Sequence, residues 1–187
     1  MSVEAWDRGE VWAMADALRW RERASPTRTG ADRCLSDLRG VGIDRVLWVA
    51  DPSDAEGTTA VAYARRRGVT LYARMAAHAA ALLDREDCRY VDRRERTDPS
   101  RSSLFSEAVR RDRIEAAVTA ARRGADGLLL DFCDRPPHVG YRPELVHEYV
   151  VTGGPDPRSL TLTEDRFRDW CLFRAHYVTR LLREMKD

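Results

Sequence analysis

The sequence predicts an α/β fold, with parallel strands flanked by helices, on three observations. A glycine-strand-polar pattern recurs, at Gly42 to Asp51, Gly68 to Met75 and Gly124 to Asp131. Helix-forming segments alternate with those strands, which implies βαβ units with right-handed crossovers. The third strand is a continuous apolar run, Leu128-Leu129-Leu130, that ends in Asp131. Such a run suits a strand buried on both faces, and the carboxyl end of such a strand is where α/β proteins keep their chemistry.

The elements follow in order. Val3 to Arg23, carrying Trp6, Trp12 and Trp20, reads as a helix that precedes the repeats, so residues 1–28 are expected to be an amino-terminal helical extension and residues 29–187 the main domain. Ala31 to Arg39 is a short helix. Gly42 to Asp51 supplies the first strand. Thr58 to Arg67 forms the next helix, with Ala60, Val61 and Ala64 on one face, and runs into Gly68. The glycines suit the left-handed position just past a helix. Cys88 to Val91 is a fourth candidate strand. Arg93 to Ser103, charged and serine-rich with Pro99, reads as an exposed loop. Ser106 suits an N-cap for a helix to Arg123 with Val109, Ile114, Ala117, Val118 and Ala121 spaced for burial. Arg135 to Pro143, with three prolines and a glycine, is a shaped loop, and Gly153-Gly154 is a turn signal. Thr163, Glu164 and Asp165 open a long final helix whose stripe is Phe167, Trp170, Cys171, Val178, Leu181, Leu182 and Met185.

A closed (β/α)8 barrel takes about 250 residues. Three good strands in 187 residues therefore predict about half a barrel, a partial (β/α)8 TIM-barrel, or a small open sheet. Composition excludes several classes. Charged residues make up 34% and hydrophobic residues 43%, which is a globular balance. The 32 basic and 31 acidic residues leave a net charge of +1, against a dedicated nucleic-acid binder. No stretch approaches the apolar length of a membrane span, and Met1 to Trp20 has no signal-peptide core. The four cysteines, Cys34, Cys88, Cys133 and Cys171, form no C-x-x-C pair, and a reduced cytoplasmic protein is the expectation.

The chemistry-bearing residues cluster at strand ends. Asp131 is either a catalytic acid or a carboxylate that caps the next segment or pairs with Arg74 or Arg135. Asp134 is its candidate catalytic partner, or a neighbour that tunes it by like-charge proximity. Arg74 and His78 follow a neighbouring strand. Both suit hydrogen bonds to hydroxyls, although Arg74 equally suits a structural pairing with Asp131 and His78 a loop surface. Trp48, before Asp51, either stacks on a ligand or fills the core. His138 and Tyr141 either line a pocket rim or pack the proline loop. Asp131, Asp134 and His138 are metal-compatible types, but no second histidine lies close among the four, so neither a metal nor a cofactor is expected. No G-x-S-x-G, Walker or G-x-G-x-x-G motif occurs.

Four segments carry a family resemblance. They are Gly42 to Trp48, Gly68-Val69-Thr70-Leu71-Tyr72-Ala73-Arg74-Met75 to His78, Gly124 to Phe132 with Pro136-Pro137 and Gly140 to Val146, and Asp169-Trp170 with Phe173-Arg174-Ala175 and Val178-Thr179. Over residues 30–187 they resemble the bacterial glycoside-hydrolase-like TIM barrels of the family-10-like group. The resemblance implies a barrel acting on a polysaccharide or glycan, with the acid of its central strand at Asp131. In relatives a basic residue often follows the L-D-F element; here Asp134 precedes Arg135, and the later half of the barrel has no counterpart. Glycoside hydrolysis uses two carboxyl groups, one giving a proton to the leaving oxygen and the other attacking or activating water. The expected function is therefore carboxylate-based glycan hydrolysis. The alternative is a truncated, non-catalytic half-barrel that binds carbohydrate or a protein partner, with copies associating to complete the barrel.

Overall fold

The computed structural model describes residues 12–15, 29–48, 55–132 and 139–186. Their elements run β1 (Trp12–Ala15), α1 (Thr29–Gly40), β2 (Arg45–Trp48), α2 (Ala55–Arg67), β3 (Thr70–Ala76), β4 (Arg89–Val91), β5 (Thr97–Ser102), α3 (Glu107–Arg122), β6 (Gly127–Asp131), α4 (Pro143–Val151) and α5 (Asp165–Lys186). Two short 3-10 turns, Ala80–Leu82 and Glu86–Cys88, lie between β3 and β4. The chain divides into two compact units. One comprises the described residues up to Met75 with Ala116–Leu130; the other comprises Ala76–Glu115 and the described residues from Asp131 onward.

The first unit holds the repeating α/β pattern. Strand order is β1-β2-β3-β6, and β1–β2 and β2–β3 are parallel. β2, β3 and β6 are each fed by a glycine in the left-handed region: Gly42 has φ +83°, Gly68 +64° and Gly124 +91°. Here a side chain would strain the backbone, so the glycine at each helix end is a conformational requirement. Leu35 of α1, Val46 of β2, Val61, Tyr63 and Ala64 of α2, and Val69 and Leu71 form the core, with Leu38 packed against it. Along β3 burial alternates with the pleat, so Leu71, Ala73 and Met75 are enclosed.

Several expectations are corrected here. Trp12–Ala15 is a strand paired with β2, not helix, because its four residues complete an edge of the sheet; the rest of the proposed first helix lies outside the described residues. The apolar run of β6 is not buried on both faces. Leu128 is 37% and Leu129 39% exposed, since β6 is the last strand in the sheet among the described residues.

The second unit differs in kind. The expected strand near Cys88 to Val91 exists, but β4 pairs antiparallel with β5 in a separate two-stranded sheet. The supposed loop from Arg93 to Ser103 contains β5, in which Pro99 is tolerated because β5 pairs on one side only. Asp92 builds the hairpin turn: its carboxylate accepts the amides of Arg94 (2.8 Å) and Arg96 (2.9 Å). Arg96 also holds the Asp92 carboxyl below its ordinary range, by its amide first and its guanidinium second. A helix not foreseen, α4, begins with Pro143 in its first turn, where proline costs no hydrogen bond. Of the α3 stripe, Val109 and Ala117 are buried, whereas Val118 and Ala121 face outward and Ala120 is enclosed instead. On α5, Trp170 and Leu181 are buried and Leu182 is 47% exposed. Among the described residues no helix is long and apolar enough to cross a membrane.

Candidate functional site

The carboxyl ends of β3 and β6 place the residues of interest. β6 closes at Asp131, only 8% exposed. The Ala77 amide, just past β3, donates to the Asp131 carbonyl at 2.9 Å, so the strand ladder fixes the backbone that carries the carboxylate. The residues after β3 are held at two further points. Arg113 of α3 donates from Nη1 to the Ala76 carbonyl at 3.2 Å, its own Nε bonded to Asp112 at 2.8 Å. Ser102, the last residue of β5 and 4% exposed, accepts the Ala79 amide on its Oγ at 2.8 Å. His78, half-buried, sits inside this clamped stretch. A carboxylate and an imidazole thus ride on adjoining, fixed backbone. Those two groups can give or take protons and hydrogen-bond a hydroxyl.

The segment that returns after Asp131 is held as tightly. The Tyr141 amide donates to the Val91 carbonyl at 2.8 Å. Gly140 passes so close to Val91 that a Cβ there would run into that same carbonyl oxygen. Arg174 of α5 donates to the Val139 carbonyl at 3.1 Å. Its guanidinium lies 5.2 Å from both the Tyr141 and Trp170 ring centroids, within cation–π range. Trp170, fully buried, meets Tyr141 at 5.3 Å and Tyr149 at 5.1 Å. Deeper in this unit the Tyr177 hydroxyl donates to Glu148 at 2.7 Å, and burial, reinforced by that carboxylate, pushes its pKa up.

The structure therefore carries Asp131 and His78 on two segments joined by the Ala77–Asp131 backbone hydrogen bond. Tyr141 belongs to the same unit, but it is 6% exposed and its ring packs on Trp170 and Arg174. Arg74 lies half-buried on β3 in the first unit. Trp48 closes β2, where its backbone pairs with Ala73. Asp51, Asp134, Arg135 and His138 lie outside the described residues. Sequence reasoning did not find Ser102 or Arg113. Their contacts span 23 and 37 positions and leave no local motif. Among the described residues, no group of three or more histidine, cysteine or acidic side chains is arranged to hold a metal ion.

No protein-family model matches the chain. No curated protein matches it. Among solved structures it is similar to a maltogenic α-amylase from Thermotoga neapolitana, at 17% identity and a TM-score of 0.49, over 67% of this chain and 39% of that one. The chain thus spans about two-fifths of the length of that enzyme.

Proposed function

We propose that this chain is a glycoside-hydrolase-like protein built as a partial (β/α)8 barrel, with Asp131 as its acid and a glycan as its substrate. The observation that carries the reading is the burial of Asp131 at the carboxyl end of β6, bonded through its carbonyl to the residue before His78. In this reading Asp131 donates to the leaving oxygen or attacks the anomeric carbon, and Asp134 supplies the second carboxyl group. His78 and Arg74 hydrogen-bond sugar hydroxyls, and Trp48, Asp51, Arg135, His138 and Tyr141 complete the sugar-binding side. The free thiols Cys88 and Cys171 suit a reducing cytoplasm.

The test is reducing-end release from a panel of α- and β-glucans, xylans and chitooligosaccharides. Wild type is expected to hydrolyse at least one, and Asp131→Asn to lose about 100-fold or more in kcat, the scale of one acid–base group. Equal turnover by both removes Asp131 from the mechanism.

A second reading rests on the outward-facing Leu128 and Leu129 of β6. An apolar edge strand favours pairing with another chain, so a non-catalytic scaffold that associates with a second copy, completing the barrel, is the alternative. Sedimentation distinguishes them: a wild type that hydrolyses nothing and is dimeric supports this reading, and a monomer opposes it.

A further inference from the structure

We propose that Ser102 is a positioning residue for His78, and that the β4–β5 hairpin serves to deliver it. The inference rests on the reading that Asp131 and His78 form the working face, and it adds a residue outside that set. The four residues from Ala76 to Ala79 are tied at three points by three different elements. Arg113 of α3 takes the Ala76 carbonyl, Asp131 of β6 takes the Ala77 amide, and Ser102 of β5 takes the Ala79 amide. Only the first two belong to the helix and strand that the α/β pattern supplies. The third comes from the hairpin inserted between β3 and α3.

Without Ser102 the backbone bonds supplied by α3 and β6 end at Ala77, on the amino-terminal side of His78. With it, His78 is bracketed on both sides. The hairpin is itself braced: the Ser103 amide donates to the Cys88 carbonyl at 2.8 Å, and the Arg101 guanidinium lies 4.1 Å from the Tyr90 ring centroid. Functional side chains hold their geometry when their backbone is locked by such supporting bonds.

The experiment is carbethoxylation by diethyl pyrocarbonate, read by peptide mass spectrometry on the full chain, which resolves His78 from the exposed His147 and His176. Ser102→Ala is expected to raise the His78 labelling rate about tenfold, the worth of one buried hydrogen bond in local opening. His147 and His176 should label as in wild type. Ser102→Thr, which restores the hydroxyl, should return the wild-type rate. The matched control is Ser103→Ala, which removes a hydroxyl that accepts the Phe105 amide at 3.3 Å from a fully buried residue; His78 should not respond to it. Should Ser102→Ala fail to fold, Ser102→Cys, a weaker acceptor, is read in the same way. An unchanged His78 rate, an equal rise in Ser103→Ala, or no rescue by threonine overturns the proposal. Labelling needs no substrate, so a wild type that hydrolyses no glycan refutes the enzymatic reading while leaving this one to be judged on its own.

Discussion

The amino and carboxyl ends of β3 and β6 use the same residue types for opposite purposes. At the amino ends, Gly68 and Gly124 make left-handed turns, and Asp126 spends both its groups on one neighbour. Its amide donates to the Leu71 carbonyl at 2.8 Å, and its carboxylate accepts the Leu71 amide at 2.8 Å. That acid is a clip. At the carboxyl ends the backbone is satisfied by other elements, and Asp131 and His78 are carried on it. Two aspartates five positions apart, Asp126 just before β6 and Asp131 at its end, are thus separated by geometry alone. The amino end closes turns, and the carboxyl end holds Asp131 and His78 on bonded backbone.

That contrast can be broken by mutation. If the proposed function holds, the largest effect is expected at Asp131→Asn, which should lower glycan turnover by about 10²–10⁴-fold while urea denaturation still shows a cooperative fold. A similar loss in Asp126→Ala would erase the distinction. Asp126→Ala is expected instead to leave turnover unchanged and to cost about 1–3 kcal/mol in urea denaturation, because the Leu71 amide loses its acceptor. Gly68→Ala should cost less, about 1–2 kcal/mol, since a Cβ there meets nothing within 4 Å and the penalty is backbone strain alone.

The smallest effect compares the two units through pH. In the second unit Asp156 is held below the ordinary carboxylate range by the Arg158 guanidinium, and Glu164 by the Thr161 amide and hydroxyl. Asp92 is lowered likewise by Arg96. Their folded values lie below the unfolded ones, so the stability they contribute is present above about pH 4 and is lost as pH falls further. Hydrogen exchange near the hairpin and near residues 154–164 should therefore rise first on acidification; uniform loosening of both units would contradict this.

What was legible in the sequence follows physical lines. The βα rhythm was readable because Gly42, Gly68 and Gly124 are demanded by backbone conformation, a local requirement with a local signature. Asp131 was readable for the same reason, as a polar stop to an apolar strand. The helix α4 was hidden by the prolines around it, although Pro143 in its first turn is a starting signal. The strand β5, with the sequence Thr-Asp-Pro-Ser-Arg-Ser, carries no apolar alternation and exists through pairing with β4. Ser102 and Arg113 act across the fold on backbone groups that any sequence would present, so neither leaves a pattern to read.

The outward-facing leucines of β6 have a consequence for the chain in concentrated or partly opened states. A short apolar segment at a sheet edge is a template for cross-β growth, in which identical strands stack about 4.8 Å apart. Here the segment is bounded by Asp126 and Asp131. Stacking copies in register would line up two columns of like carboxylates, each repelling its neighbours along the fibril. The same two acids that mark the ends of the strand are therefore placed as gatekeepers against its polymerisation.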